Sequence, residues 1–174
     1  GDGGAILTDD EEFYAELLKQ RNHGLRNRDE TDFWSYNSRL DTLQAAILTV
    51  KLEYLAEWTE QRRANADFYR QRIGEVVRVP QEHSYEYCIY HTFVVLASNR
   101  NELQGYLASH GIDTKVHYPA PLHLQEAARD LGYQRGDFPV AESQGEQILS
   151  LPVYPELTQE QKDLVVEKIL EFYA

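Results

Sequence analysis

The sequence predicts an α/β protein in which a long amphipathic helix leads into a layer of short strands and helices. Three observations predict it. Leu40, Leu43, Ile47, Val50 and Tyr54 recur at three- and four-residue spacing, as one face of a helix requires. Residues 76–79 and 92–96 are β-branched and aromatic runs, suited to a pleated, half-buried surface. After Gly74 such runs alternate with helical segments, the order that builds an α/β or α+β layer.

The elements follow in order. Ala5-Ile6-Leu7 reads as a short strand entered from a glycine-rich turn, a start that predicts a chain cut from something longer. Thr8-Asp9-Asp10-Glu11 has the capping-box arrangement, so a helix is expected to about Gln20, burying Phe13, Leu17 and Leu18. Residues 21–37 are polar and irregular, and a loop of that length is usually functional or disordered. Ser38-Arg39-Leu40-Asp41 is a second capping-box candidate opening the long helix, with Leu48, Leu52 and Leu55 widening its apolar stripe. That helix is expected to run, with a bend, to about Ile73, where Gly74 stops it.

Strands are then expected over 76–79, 92–96 and 112–118. Helices are expected over 101–110, ended by Gly111, and around 125–131 and 140–148. Thr158 caps the last helix, whose Leu164, Val165, Ile169 and Phe172 should face inward.

Composition narrows the function. With 42% hydrophobic residues in 174 there is material for a core, and no apolar run reaches the length of a membrane helix. The net charge of -12 repels phosphate backbones and argues against nucleic acid as a partner. A lone cysteine, Cys88, forms no internal disulfide and cannot hold an iron–sulfur cluster by itself, so a reducing, cytoplasmic setting is expected.

Few residues carry chemistry on their own evidence. Gly1-Asp2-Gly3-Gly4 could bring backbone N–H groups to an anion, although it lacks a nucleotide-binding spacing and suits an ordinary turn better. His117 and His123 lie six residues apart across two prolines, which matches neither helical metal-ligand spacing, so no metal is expected. His117-Tyr118 at a strand end reads equally as a polyhydroxyl-binding pair or as a pair closing the sheet edge. Asn37 precedes the Ser38 cap, where its amide could reach a phosphate near the helix N-terminus. Arg26, Arg28 and Arg39 make that loop basic within an acidic chain. There is no G-x-S-x-G, and Cys88, expected in a strand, has no catalytic flank.

The motifs, taken together and in order, resemble one family. They are Gly1-Asp2-Gly3-Gly4-Ala5-Ile6, Arg21-Asn22-His23-Gly24, Asn37-Ser38-Arg39-Leu40-Asp41 with Gln44-Ala45-Ala46, Tyr90-His91, His117-Tyr118-Pro119, Phe138-Pro139-Val140-Ala141-Glu142 and Leu149-Ser150-Leu151-Pro152. The chain thus resembles the DegT/DnrJ/EryC1/StrS sugar aminotransferases over essentially its whole length.

The resemblance implies the C-terminal part of a fold-type I pyridoxal-phosphate enzyme. Residues 1–45 would end the large cofactor-binding domain and carry a dimer-spanning loop; residues 46–174 would form a connecting helix and the small domain. It implies a homodimer with composite active sites, in which Asn37 reaches the cofactor phosphate of the other subunit. His117 and Tyr118 would lie toward the nucleotide sugar. The implied reaction moves an amino group from an amino acid, usually glutamate, to a keto sugar. Pro121-Leu122-His123-Leu124-Gln125 with Gly136-Asp137-Phe138-Pro139 looks most like the branch acting on dTDP-linked 3-keto-6-deoxy sugars.

The chain departs from the pattern at one point. The family's cofactor-bearing lysine falls before Gly1, and Lys19, Lys51, Lys115, Lys162 and Lys168 do not match its position. No catalytic residue is therefore assigned within the chain, which alone is expected to be inactive. Two alternatives follow: a sugar dehydratase of the same family with histidine at the lysine position, and a non-catalytic short protein that binds or regulates a partner.

Overall fold

The computed structural model describes residues 3–174. The chain divides into two compact units, Gly1–Leu55 and Ala56–Ala174.

In the first unit, α1 spans Glu11–Gln20 and α2 spans Thr42–Leu52. The expected caps are displaced. The Asp10 carboxylate accepts from the Phe13 N–H at 2.9 Å and is the N-cap of α1, while Thr8 accepts from the Asp10 N–H at 3.1 Å. Helix α2 begins after Asp41, not at Ser38, without a side-chain cap bond. The expected strand at Ala5-Ile6-Leu7 is absent among the described residues; a strand needs a pairing edge, and Leu7 is 94% exposed.

The loop between the helices folds back on itself. Antiparallel bridges join Asn22 to Asn37 and Leu25 to Thr31. Gly24 makes the turn possible: its φ is +74°, and a Cβ there would lie 1.8 Å from the Phe33 carbonyl oxygen.

The apolar stripes are where the sequence puts them, but they are not buried in this unit. Phe13 and Leu18 on α1 are exposed, and so are Leu43, Ile47, Leu48, Val50 and Leu52 on α2. Periodicity identifies an apolar face; it does not supply the surface that covers it.

Helix α3 (Leu55–Ile73), which leads into the second unit, follows two turn residues, Glu53 and Tyr54, that interrupt the single long helix expected from the sequence. Next come β1 (Phe93–Leu96), α4 (Arg100–Ser109), two 3₁₀ turns (Leu122–Leu124 and Glu126–Leu131), α5 (Pro139–Gln147), β2 (Ile148–Leu151) and α6 (Gln159–Tyr173). Strands β1 and β2 pair antiparallel, Phe93 opposite Leu151 and Leu96 opposite Ile148. Single bridges extend this ribbon on both sides, Arg78 to Leu96 and Lys115 to Ser150. The expected strands at 76–79 and 112–118 are thus reduced to one bridge each, and Cys88 lies in a loop.

Phe93, Val95 and Leu149 of the ribbon are buried with Ala66, Tyr69 and Ile73 of α3, Leu103 and Leu107 of α4, and Ile169 of α6. The Tyr69 and Phe93 rings lie 5.5 Å apart. Thr158 caps α6, as the sequence predicts, and Gln161 returns the bond to complete a capping box. On α6, Val165 and Ile169 are buried as expected and Phe172 partly so, while Val166 takes the buried place expected of the exposed Leu164.

Candidate functional site

The second unit carries a cavity of about 480 Å³ at the edge of the ribbon, lined in part by Arg62, His91, Lys115, His117, Ser150 and Tyr154. Each lining residue is held by backbone architecture. Ser150 lies on β2 and exchanges both backbone hydrogen bonds with Lys115, its N–H donating to Lys115 O at 2.7 Å and its carbonyl accepting at 3.2 Å. Arg62 on α3 donates through Nη1 to the carbonyls of Tyr90 (3.3 Å), His91 (3.2 Å) and Val153 (3.3 Å). Lys115 pairs with Asp113 at 2.8 Å. The wall thus sets a few cationic, imidazole and hydroxyl groups, and Asp113, among apolar side chains such as Ile112, Leu151, Val153 and Leu157, the usual make-up of a small-molecule cavity.

The approach to β1 is fixed by a second arginine set. Glu82 accepts from Arg63 at 2.7 Å, the Cys88 N–H at 3.0 Å and the Tyr90 hydroxyl at 2.9 Å. Arg63, then the Cys88 amide and the Tyr90 hydroxyl, pull the Glu82 carboxyl down to about 2. Burial, reinforced by Glu82, pushes the Tyr90 phenol up to about 12. Arg70 donates to the Tyr90 hydroxyl at 2.5 Å, and Arg63 also lies over the Tyr87 ring, 4.3 Å from its centroid. These contacts hold Tyr90 at φ +45°, in the left-handed region, just ahead of His91 and the strand.

His117 and Tyr118 part company. His117 lines the cavity, and its Nδ1 lies 2.9 Å from the Ser150 hydroxyl. Tyr118 is 73% exposed, outside the lining, its ring edge-on to His117 at 5.5 Å. His123 is engaged elsewhere: its Nε2 meets Glu142 Oε1 at 3.0 Å, the two side chains being 8% and 10% exposed. Glu142 also accepts the Gly136 N–H at 2.7 Å and the Phe138 N–H at 3.4 Å. The Gly136 amide first, and then His123 and Phe138, hold the Glu142 carboxyl below the usual carboxylate range. Glu142 thereby closes the 136–138 turn onto α5. Among the described residues no group of three or more His, Cys, Asp or Glu could hold a metal ion.

Asn37 lies in the first unit and is exposed. Its backbone is fixed on both sides, by His23 N–H to Tyr36 O and Ser38 N–H to Arg21 O, each 2.9 Å. Asn37 does not stand at a helix N-terminus as expected, because α2 starts at Thr42, five residues on. The basic loop is largely internally paired: Arg26 and Lys19 both bind Asp32, each at 2.7 Å, and Arg39 donates to Asn22. The expected turn at the start of the chain lies partly outside the described residues, since Gly1 and Asp2 are not among them.

Arg62, Arg63, Glu82 and Ser150 carry much of this geometry and were not singled out by spacing. The tandem arginines sit on a polar helix face, and their partners lie 19 or more residues away. Only the Leu149-Ser150-Leu151-Pro152 motif pointed to one of the four.

Comparison with known proteins places this geometry in a class. The chain belongs to the DegT/DnrJ/EryC1/StrS aminotransferase family, which it matches over residues 1–170. It is similar to a Geobacillus stearothermophilus protein named as a pleiotropic regulatory protein, 45% identical over 99% of this chain and 48% of the relative. It is also similar to the dTDP-3-amino-3,6-dideoxy-alpha-D-galactopyranose transaminase of Aneurinibacillus thermoaerophilus, 39% identical over 96% of this chain and 46% of that protein. Among solved structures it resembles DesV of S. venezuelae, with a TM-score of 0.86 and 34% identity over 96% of this chain and 46% of that one. The chain therefore spans about half the length of the relatives it matches. Among the described residues, no helix is long and apolar enough to cross a membrane.

Proposed function

We propose that this chain is the C-terminal part of a pyridoxal-phosphate-dependent aminotransferase acting on a nucleotide-linked keto sugar, with an amino acid, glutamate, as donor. The cavity that brings His117 together with Arg62, His91 and Lys115 carries the reading, because a sugar nucleotide offers both hydroxyls and phosphate charge to such a wall. The transaminase relative at 39% identity favours a dTDP-linked 3-keto-6-deoxyhexose.

In this reading residues 1–45 end the large domain and residues 46–174 form the connecting helix and small domain. His117 binds substrate at the cavity, and Tyr118 contributes from its rim. Asn37 meets the cofactor phosphate of a second subunit in a homodimer with composite sites. Its exposure and its anchored backbone fit that role, since the amide has a fixed base and a free approach.

The bound cofactor would supply the electron sink for moving nitrogen between carbon centres. This chain's lysines do not fit the position that carries it. Lys19, Lys115 and Lys168 are ion-paired, Lys162 lies over the Phe68 ring, and Lys51 stands in the last turn of α2. In this reading the cofactor-bearing lysine lies in the half of the relatives' length that this chain does not span, and the setting is the cytoplasm.

The test is mass spectrometry of the full-length protein incubated with cofactor, glutamate and a dTDP-linked 3-keto-6-deoxyhexose. An aminated sugar nucleotide is expected. A product that has lost a hydroxyl and gained no nitrogen moves the assignment to the dehydratase. The name of the 45% identical relative favours a second reading, a binding protein with a regulatory role; failure of the full-length protein to retain cofactor would select it.

A further inference from the structure

We propose that Ser150 is a positioning residue, whose hydroxyl holds the His117 ring by Nδ1 and leaves Nε2 as the nitrogen offered to the sugar nucleotide. The inference rests on the reading of His117 as a substrate-binding residue.

The contact follows from register. Ser150 on β2 sits opposite Lys115, with both backbone hydrogen bonds made between them. His117 lies two residues past that bridge, at a bend, which brings its ring beside the Ser150 side chain. The two side chains meet at 2.9 Å between Nδ1 and Oγ. Ser150 is buried in a strand also paired to Val94 on its other side, so its backbone is held on both edges. His117 is the hydrogen-bond partner the structure gives that hydroxyl.

Serine suits the position for a chemical reason. A hydroxyl donates to Nδ1 when the ring is neutral and protonated at Nε2, and it accepts from Nδ1–H when the ring is charged or in the other tautomer. The ring keeps its anchor in every state, and Nε2 meets the ligand as donor or acceptor as the ligand demands. Alanine removes the anchor without filling the space.

The experiment uses the full-length protein and compares Ser150→Ala, Ser150→Thr, His117→Ala and the double variant S150A/H117A. Steady-state kinetics with the nucleotide sugar are measured beside the amino-acid half-reaction alone, followed by cofactor absorbance without sugar. Ser150→Ala is expected to raise KM for the sugar nucleotide about fivefold, the worth of one hydrogen bond, while the amino-acid half-reaction keeps its rate. Ser150→Thr restores KM, and the double variant is no worse than His117→Ala, because the two act as one unit.

If His117→Ala raises KM and Ser150→Ala does not, the positioning role is overturned and the substrate reading stands. If His117→Ala leaves KM unchanged, the substrate reading falls and the inference with it. Slowing of both half-reactions by Ser150→Ala marks a structural residue and also overturns the proposal. Should the alanine variant not fold, Ser150→Thr against Ser150→Val carries the same test, since the two differ only by the hydroxyl; equal KM values overturn it.

Discussion

Replacing Gly145 by alanine tests whether α5 sets the position of the His117 segment. Gly145 is buried in α5, and a Cβ built there would lie 2.9 Å from the Pro119 carbonyl oxygen, with Pro121 Cδ 3.5 Å away. That is about 0.4 Å inside the closest ordinary carbon–oxygen approach of roughly 3.3 Å. Two effects oppose each other. Alanine in a helix interior gains about 1 kcal/mol over glycine, and overpacking of a tight contact costs roughly 1–3 kcal/mol. The backbone oxygen cannot rotate away as a side chain could, so the overpacking cost should dominate, giving a net loss of roughly 0–2 kcal/mol. The displaced chain runs straight into His117 and Tyr118, so KM for the sugar nucleotide should rise by about two- to tenfold. Gly105→Ala is the internal control: Gly105 lies in α4, exposed, with nothing within 4 Å of its added Cβ, so only the helical gain of about 1 kcal/mol remains. Thermal and denaturant unfolding of both variants, with kinetics of the full-length protein, give the comparison. Equal stabilisation of the two variants with unchanged KM would refute the argued contact between α5 and Pro119.

Two further perturbations address the core and the loop ahead of β1. Tyr69→Phe removes a fully buried hydroxyl that has no hydrogen-bond partner among the described residues, so stability should hold or rise by about 1 kcal/mol in denaturant unfolding. A loss of more than about 1 kcal/mol would show the hydroxyl to be bonded after all. Glu82→Gln removes a carboxylate whose pKa in the folded protein, about 2, lies below its ordinary 4.5. A depressed carboxyl stabilises the fold above its unfolded pKa and loses that contribution as pH falls through the folded value. The stability gap between the natural protein and the variant should therefore be full above about pH 4.5 and close toward pH 2. A gap that does not change with pH would mean that charge is not what Glu82 contributes.

Helices were legible in the sequence where one residue dominated the signal. Thr158 is the predicted cap of α6 because no other capping side chain competes nearby. At the first helix, Thr8, Asp9 and Asp10 are all capping residues, and local pattern could not show that Asp10 would win. Ser38 and Asp41 posed the same ambiguity, resolved at Asp41. Strands were harder to read. Residues 148–151, Ile-Leu-Ser-Leu, follow a helix directly, and a short apolar run there cannot be told from a continuing helix by period. Conversely, 76–79 and 112–118 have strand composition but meet their neighbours at one bridge each, because strand composition describes a residue's fit to a pleated surface and not the path of its neighbour.

The candidate site divides along the same physical line. His117 was visible because a histidine beside a tyrosine and a proline at a strand end is locally unusual. Its partner was not, because the Ser150 contact spans 33 residues and arises from the pairing of two segments. The same holds for Arg62, whose carbonyl partners include one 91 residues away, and for His123, whose Glu142 lies 19 residues on. Short-range chemistry therefore announces which side chains can react with or bind a ligand, while register decides which of them are held still. Of the two histidines first weighed as a metal pair, one lines the cavity with a serine behind it, and the other is locked to a carboxylate that closes a turn. Burial makes that second histidine structural. An anchored Nδ1 at a cavity wall leaves the first one available for the substrate role proposed above, and this difference, set by the pairing of distant segments and absent from local spacing, separates the candidate binding residue from the scaffold residue.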